Sequence, residues 1–535
     1  MPSLLRQLIS ASVLPLLLTP AVAQTPPEAI PQEQAAPVFD LLRIQVDGNT
    51  VLPQKEVEKA IYPFLGPNKS IDDVEKARLA LEAVYAKHGY STVVVDVPEQ
   101  DVIDNAVRLD VVEGTVERLK ITGSRYYSLG KIKEKLPALA KGEVPNMPVV
   151  QAQLAQLAEE SADRQITPVF RAGSTPGKTE VELHVKDTLP LHGSVELNGR
   201  NNESTTRSRL NASVRYDNLW QRFHSASLQF QISPEDSNEV EVWSGTYVMP
   251  TGLWDSRLAM YGIGISSNTN LGTSIGGLSV LGTGYIFGAR LMQPLSALGD
   301  VSHSLTAGFD YKMFDQGVTV QGQDLEPSPI NYASFLVGYD ASLRLKESTT
   351  SFSTALHFSV RGLGNDPDEF ENRRQNAKTN YAYLTSEVKH LQQLPYDLRV
   401  AARASGQIAS SPLISNEQFA LGGVQTVRGY FQTQQLGDDG INLSLELQSP
   451  QLKKADWDFV QSFRAHTFID YGYLWLQQPQ QGNPGFYRLA GAGAGLRLQL
   501  FKHWMGEVDW AYPLHKQGTV DVGNQRVDFL MAYQF

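Results

Sequence analysis

From Leu191 to the end of the chain, apolar and polar residues alternate in long runs. Ile441, Leu443, Leu445 and Leu447 alternate with Asn442, Ser444, Glu446 and Gln448. Leu496, Leu498 and Leu500 alternate with Arg497 and Gln499, and Val508, Trp510 and Tyr512 with Glu507 and Asp509. Leu398, Val400 and Ala402 alternate with Arg399 and Arg403. Successive side chains of a strand point to opposite faces, so each run has one apolar face and one polar, often charged, face. Runs of about ten or more residues suit a strand that crosses a bilayer between lipid and water. A soluble sandwich also alternates, but it hides its apolar face and rarely keeps such regularity. Lipid tolerates no unpaired strand edge, so these strands must close into a barrel. The runs number about 16, which would enclose a water-wide lumen rather than a packed core. Short links fall at Asn218–Gln221, Pro250–Asp255, Leu345–Thr350 and Phe501–His503. Longer polar stretches fill the alternate gaps, near Phe314–Asn331, Gly362–Thr379 and Ile408–Asp438. Short turns on the entry side and long loops on the other are the asymmetry of an antiparallel transmembrane β-barrel.

The final run carries Val527, Phe529, Met531, Tyr533 and Phe535 on one face and ends on an aromatic residue. This resembles the assembly signal of bacterial outer-membrane barrels, which makes Phe529, Tyr533 and Phe535 its candidate residues.

Upstream of Leu191 the periodicity is mixed. Leu42, Ile44 and Val46 alternate with polar residues and stop at a D-G-N turn, which predicts a strand. Two helical stretches follow. Ser70 with Asp73 resembles a capping box, Val74, Ala77, Leu81 and Val84 share a face, and Gly89 ends the second helix. Thr92–Val97 and Ala106–Val112 read as strands, for an order β-α-α-β-β. Arg118–Ser124 then echoes Arg43–Asn49 at an offset of 75 residues. After it come predicted helices near Leu129–Leu136 and Pro148–Glu160, and strands near Gln165–Arg171 and Thr179–Lys186. A repeat at fixed offset marks two copies of one small module. An exposed sheet edge in such a module can accept an extended peptide, although a plain spacer would look the same.

At the start of the chain, Arg6, the apolar run Leu8–Leu18 and Ala21-Val22-Ala23 form a secretory signal with cleavage before Gln24. The run is too short for a spanning helix and is broken by Pro15. The expected partition is a signal peptide over 1–23, a proline-rich tail over 24–40, modules over 41–115 and 116–188, and a barrel over 189–535. A net charge of −11 argues against nucleic acid as a partner. The chain has no cysteine, which excludes disulfides, thiolate metal sites and thiol nucleophiles together.

Candidate chemistry is sparse. Gly272-Thr273-Ser274-Ile275-Gly276 matches G-x-S-x-G, but it sits in a Gly/Ser/Thr/Asn-rich loop rather than at a strand–turn–helix elbow. Asp366, Asp368, Glu369 and Glu371 could attract a cation, yet a solvated loop explains them. The histidines show no metal-ligand spacing. No catalytic residue, metal or cofactor is expected, and no nucleotide-binding G-x-x-x-x-G-K-[ST] occurs. One stretch stands out in the longest predicted loop: Val427, Arg428, Gly429 and Tyr430. Two predicted strands later, Thr467, Ile469, Tyr471 and Tyr473 form a lipid face, which turns Asp470 into the lumen. If the loop folds inward, Arg428 can meet Asp470 in a bidentate pair, as a latch. Otherwise Arg428 is an arginine at a loop tip with no fixed partner.

A signal peptide, two β-α-α-β-β modules, a barrel of this size, the V-R-G-Y loop and the F-x-D-x-G strand (Phe468, Asp470, Gly472) together resemble the TpsB transporters of two-partner secretion, the filamentous haemagglutinin and haemolysin transporter family. The modules resemble POTRA domains. The resemblance implies an α+β periplasmic POTRA pair followed by a 16-stranded barrel in the outer membrane of a Gram-negative bacterium. It implies a monomer inserted by the barrel-assembly machinery. The POTRA domains would bind an unfolded, TpsA-like, β-helical exoprotein, and the pore would export it as the loop bearing Arg428 moves aside. The drive would come from folding of the exported chain outside. A barrel-assembly factor of the same superfamily and a passive channel are the alternatives. One feature departs from the family. Gln24–Asp40 is too short and too rich in proline for the helix that often plugs these barrels.

Overall fold

The structure is a computed structural model that describes residues 38–535, apart from 267–271, 276–277, 282, 316–328, 455, 480–481 and 483. The expected signal peptide and nearly all of the expected proline-rich tail lie outside the described residues. The chain divides into two compact units. One holds residues 38–117 with 141–148 and 172–179, and the other holds 118–140, 149–171 and 180–535.

In the first unit, strand Arg43–Asp47 pairs in parallel with Ala106–Val112, which pairs antiparallel with Val94–Asp96. Helices Gln54–Ile61 and Ile71–Lys87 cover this sheet. The periodicity explains the packing: Val74, Ala77, Leu81 and Tyr85 come round to one side of the second helix and are buried with Ile44, Val107 and Leu109. The Ser70–Asp73 capping box closes that helix at its start. One pairing was not visible in the sequence. Phe39–Leu41 pairs with Gly66–Lys69, so Phe39 and Asp40, read as the end of a loose tail, lie in a strand. The segment Gly66-Pro67-Asn68-Lys69 has no alternation to announce it, and its partner lies far away in the chain.

The second copy repeats the first in detail. Strands Thr115–Thr122, Lys178–Asp187 and Arg164–Ala172 form a sheet in the same spatial order, with helices Leu129–Glu134 and Met147–Glu160. Gly48 and Gly123 both sit at φ +86°, and a Cβ at either would lie 2.3 Å from a carbonyl oxygen, of Val111 and Val185 respectively. Only glycine fits such a left-handed, crowded turn. A carboxylate crowns each turn. Glu113 accepts from the amides of Thr50 and Val51, and Asp187 from those of Arg125 and Tyr126.

Within the second unit this copy is fastened to the barrel. Asn218 and Gln221 both donate to the Tyr126 carbonyl at 3.0 Å. The buried Arg164 guanidinium lies 4.8 Å from the Tyr127 ring centre and 5.1 Å from that of Phe223. Burial holds its pKa below the usual arginine range, against the pull of Glu160 at 3.5 Å.

Sixteen strands form a closed barrel, each antiparallel to the next. The first, Leu191–Asn198, meets the last, Arg526–Gln534, and Phe535 completes the seam by exchanging backbone hydrogen bonds with Gly193. Leu443, Leu445, Ile469, Leu496, Val508 and Met531 are exposed on the outer wall, whereas Glu446, Asp470 and Asp509 are buried on the inner one. At the end where the first strand enters, links are short, as at 345–347 and 501–503. At the far end they are long, as at 359–381 and 410–438. The G-x-S-x-G stretch falls at the far end, where Gly272–Ile275 pairs with Leu278–Leu281, with no nucleophile-elbow helix among the described residues.

Candidate functional site

The loop 410–438 joins the eleventh strand, Arg399–Ala409, to the twelfth, Asp439–Gln448. Its polar, glycine-rich sequence allows a short hairpin, Phe419–Leu421 against Gln435–Gly437, whose tip carries the V-R-G-Y residues. This hairpin packs on the inner face of the barrel wall, so the lumen is not simply water-filled. Leu421, Val427 and Tyr430 form an apolar cluster with Leu474 and Leu489 of the wall.

Arg428 is 5% exposed, and all five N–H donors of its guanidinium are engaged. Nε donates to Asp470 Oδ2 at 2.8 Å and Nη2 to Oδ1 at 2.9 Å, the bidentate pair that the sequence suggested. Nη1 reaches Glu446 at 3.1 Å and Asp509 at 3.5 Å, and Nη2 reaches Ser444 at 3.3 Å. The backbone amide of Arg428 also donates to Asp470 at 3.1 Å. The face of the guanidinium lies 3.4 Å from the Phe468 ring centre. The F-x-D-x-G residues therefore act together. Phe468 stacks, Asp470 pairs, and Gly472 leaves room, since a Cβ there would lie 2.5 Å from Leu421 and 3.0 Å from Val427. Gly429 takes φ +98°, which turns the chain so that Tyr430 can donate to the His515 carbonyl at 2.7 Å.

The charged surround was legible only in part. Glu446, Asp509, Arg497 and Glu507 are all lumen-facing by alternation, but alternation does not pair them. Arg497 binds Glu446 and lies 3.0 Å from Glu507, and His466 Nε2 lies 2.7 Å from Asp509. His466, Glu507 and Asp509 stand close enough to suggest metal ligands. The two carboxylates are already held by arginines, so the group is an ion-pair network. Asp163, His192 and Asp217 form a second such group, below the first strands. Neither was foreseen: His466 lies two strands before Glu507 and Asp509, and Asp163 precedes a strand of the second module while His192 and Asp217 lie on the first two barrel strands. The acidic residues of 366–371 serve local structure instead. Asp366 caps helix Pro367–Arg373, and Glu369 and Glu371 accept from the amides of Asn331 and Asn376.

In the fourteenth strand, Phe486–Leu500, Gly491 seats the loop, and Gly493 and Gly495 leave room for the wall residues that hold Arg428. A Cβ on Gly491 would fall 2.0 Å from the Arg428 carbonyl, on Gly493 2.5 Å from the Phe468 ring, and on Gly495 2.1 Å from Asp509. The signal was the run Gly491-Ala492-Gly493-Ala494-Gly495, glycine at every inward position. The stems of the loop are pinned as well. Glu417 is buried and accepts from Lys312 at 2.6 Å, Tyr383 at 2.7 Å and Tyr332. Asp438 is buried and pairs with Arg374, with the Leu413 and Gln477 amides at 2.9 and 2.7 Å. On the last strand, the Phe529 carbonyl accepts from the Gly199 amide at 3.0 Å. The Tyr533 ring lies 5.0 Å from Trp504 and 6.2 Å from Phe535 on the outer wall.

Comparison with known proteins agrees with this architecture. The family model of the haemolysin secretion/activation proteins ShlB/FhaC/HecB matches residues 177–498, and that of the ShlB-type POTRA domain matches residues 39–114. The outer membrane transporter CdiB of Dickeya dadantii is 22% identical over 415 residues, 77% of this chain and 72% of that protein. The structure of CdiB from Escherichia coli superposes with a TM-score of 0.65 at 20% identity, covering 95% of this chain and 92% of the other. BamA from Haemophilus ducreyi, lacking POTRA domains 1–3, superposes with a TM-score of 0.58 at 14% identity, covering 93% and 100%.

Proposed function

The chain belongs to the haemolysin secretion/activation family ShlB/FhaC/HecB, and on that premise we propose that it exports one unfolded exoprotein through its barrel under the control of the Arg428 latch. It is an outer-membrane transporter of the two-partner secretion type, with its POTRA region in the periplasm. Residues 41–115 and 116–188 are the POTRA modules that take up the partner, and 189–535 are the conduit. A signal peptide over 1–23 directs the chain across the inner membrane, and 24–40 tether the modules. Phe529, Tyr533 and Phe535 present the last strand to the barrel-assembly machinery, after which the transporter works as a monomer.

The gating reading rests on one observation: a loop of the outer side is held inside the barrel by a buried arginine that faces three carboxylates. Burying charge is costly, and removing one partner strands the others. Such a pair makes a two-position device. With the loop in, every charge is paired. With the loop out, Arg428 and Asp470 are paid back in hydration and the lumen is free for an extended chain.

The experiment compares Arg428→Ala and Asp470→Asn with the wild type in cells that make the cognate exoprotein. Both variants should remain heat-modifiable barrels in the outer membrane. Without the pair the loop no longer returns to one seat and lies loose across the path of the exported chain, so both should secrete at least about tenfold less. Wild-type secretion by either would overturn the latch.

A further inference from the structure

Where the second module runs into the barrel, three side chains from three elements converge on one point. Asp163 stands between helix Met147–Glu160 and strand Arg164–Ala172, His192 near the start of the first barrel strand, and Asp217 near the end of the second, Arg209–Leu219. His192 Nε2 lies 2.9 Å from Asp163 Oδ2 and 3.6 Å from Asp217 Oδ2, and the three ligand atoms all lie within 4.8 Å of one another. The backbone holds them there. The Thr188 amide donates to the Asp163 carbonyl at 2.9 Å, and the Asp217 amide donates to the Pro190 carbonyl at 2.8 Å. His192 is the register partner of Arg215, two residues before Asp217 and on the same face of the strand. The Asp163 carboxylate is aimed as well: Oδ1 accepts from the Thr188 hydroxyl at 3.4 Å, and Oδ2 faces His192.

The charges do not balance. Two carboxylates face one imidazole, and among the described residues the permanent cation that reaches them is Arg215, with Nε 3.1 Å from Asp217 Oδ2. Its side chain is 54% exposed, so that ion pair is weak and readily exchanged for water. Arg164, also close by, is committed to Glu160 at 3.5 Å and to the Leu157 carbonyl at 2.7 Å. The His466 group differs here, since Arg428 and Arg497 hold its carboxylates inside the lumen. An imidazole with two carboxylates suits a divalent ion of intermediate softness. Oxygen alone would suit magnesium or calcium, and the nitrogen moves the preference to zinc. Tetrahedral zinc, with bonds of about 2.0–2.2 Å, sets its ligands about 3.3 Å apart, between the 2.9 and 3.6 Å found here. The His192 and Asp217 side chains are 33% and 26% exposed, which leaves an open side for entry and for a water as fourth ligand. We propose that Asp163, His192 and Asp217 form a zinc site. His192 Nε2 and one oxygen of each carboxylate hold the ion, which supplies the positive charge that the carboxylates lack and staples the second module to the first two barrel strands.

The test uses the full chain without a polyhistidine tag, purified in detergent and freed of metal with a chelator. Calorimetric titration with zinc chloride should show one site per chain of micromolar affinity or tighter. Cobalt chloride in its place should give the visible absorption of a tetrahedral cobalt ion. His192→Gln keeps the bulk of the side chain and a donor for Asp163, so it should still yield a heat-modifiable barrel. Its zinc affinity should fall at least about tenfold, and the cobalt absorption should vanish. Asp217→Asn should do the same from a different strand. Zinc affinity unchanged in both variants would overturn the site. So would magnesium chloride competing with zinc on equal terms, which would mark a set of oxygens with no imidazole ligand. In a second arm, zinc should slow protease cleavage of the link 188–190 in the wild type and in neither variant. Cleavage of the wild type at the same rate with and without zinc would overturn the staple.

Discussion

Arg428 commits its charge, its donors and its flat face at once, and only an arginine can do all three. Lysine would keep the charge but has three donors on a point and no plane to lay on Phe468. Arg428→Lys is therefore expected to secrete between the wild type and Arg428→Ala, as read by exoprotein in the culture medium. Equal secretion by lysine and arginine would show that charge alone holds the loop. The glycines opposite make a separate prediction. Gly491→Val places a side chain where the Arg428 carbonyl now sits, at 2.0 Å from the first added carbon. The strand itself tolerates valine, so the barrel should assemble while the loop is driven out, and single-channel conductance should rise. A conductance like that of the wild type would mean that the loop does not fill the pore.

At the scale of the element, the loop 410–438 is two fixed stems and a tip. Glu417 binds Lys312, 105 residues away in sequence, and Asp438 binds Arg374, 64 away. Glu417→Gln removes the buried carboxylate that the half-buried Lys312 ammonium faces, which weakens the stem. The stem should loosen. Because the chain has no cysteine, Thr433→Cys gives a single reporter, and its labelling by an impermeant maleimide should quicken in the Glu417→Gln background. Unchanged labelling would show that Arg428 holds the loop without help. The module turns are elements of the same kind. A carboxylate at the end of one strand crowns the glycine turn after another, so Gly48→Ala and Gly123→Ala should each destabilise their own copy by more than about 1 kcal/mol. Limited proteolysis that cut neither variant faster would contradict this.

At the scale of the whole molecule, the proposed function assigns uptake and passage to different parts of the chain. Removing Leu42–Asp187 should leave a barrel that assembles and conducts ions yet no longer binds unfolded exoprotein. If that barrel bound the exoprotein as tightly as the full chain, the modules would not be the receptor. The other end of the chain tests assembly. Phe535 closes the seam through Gly193, so deleting it should lower the amount of barrel in the outer membrane without changing secretion per assembled copy.

The amino-acid order by itself determined the two-module and barrel plan, the inward turn of Asp470, and the sides on which short and long links fall. These follow from periods of 2 and 3.6 and from a repeat, and such patterns are local: a side chain's face is set by its nearest neighbours in the chain. Only the tertiary structure decided what the inward faces meet. A glutamate on the lumen side reads the same whether it faces water, as alternation allows for Glu446, or an arginine from a loop, as it does. The Glu417 and Asp438 anchors, the glycine seat at 491 and the pairing of Phe39–Leu41 with Gly66–Lys69 all join residues that lie far apart in sequence. Closing those distances is a property of the assembled barrel and sheets, where many strands together repay the entropy of bringing the partners into contact.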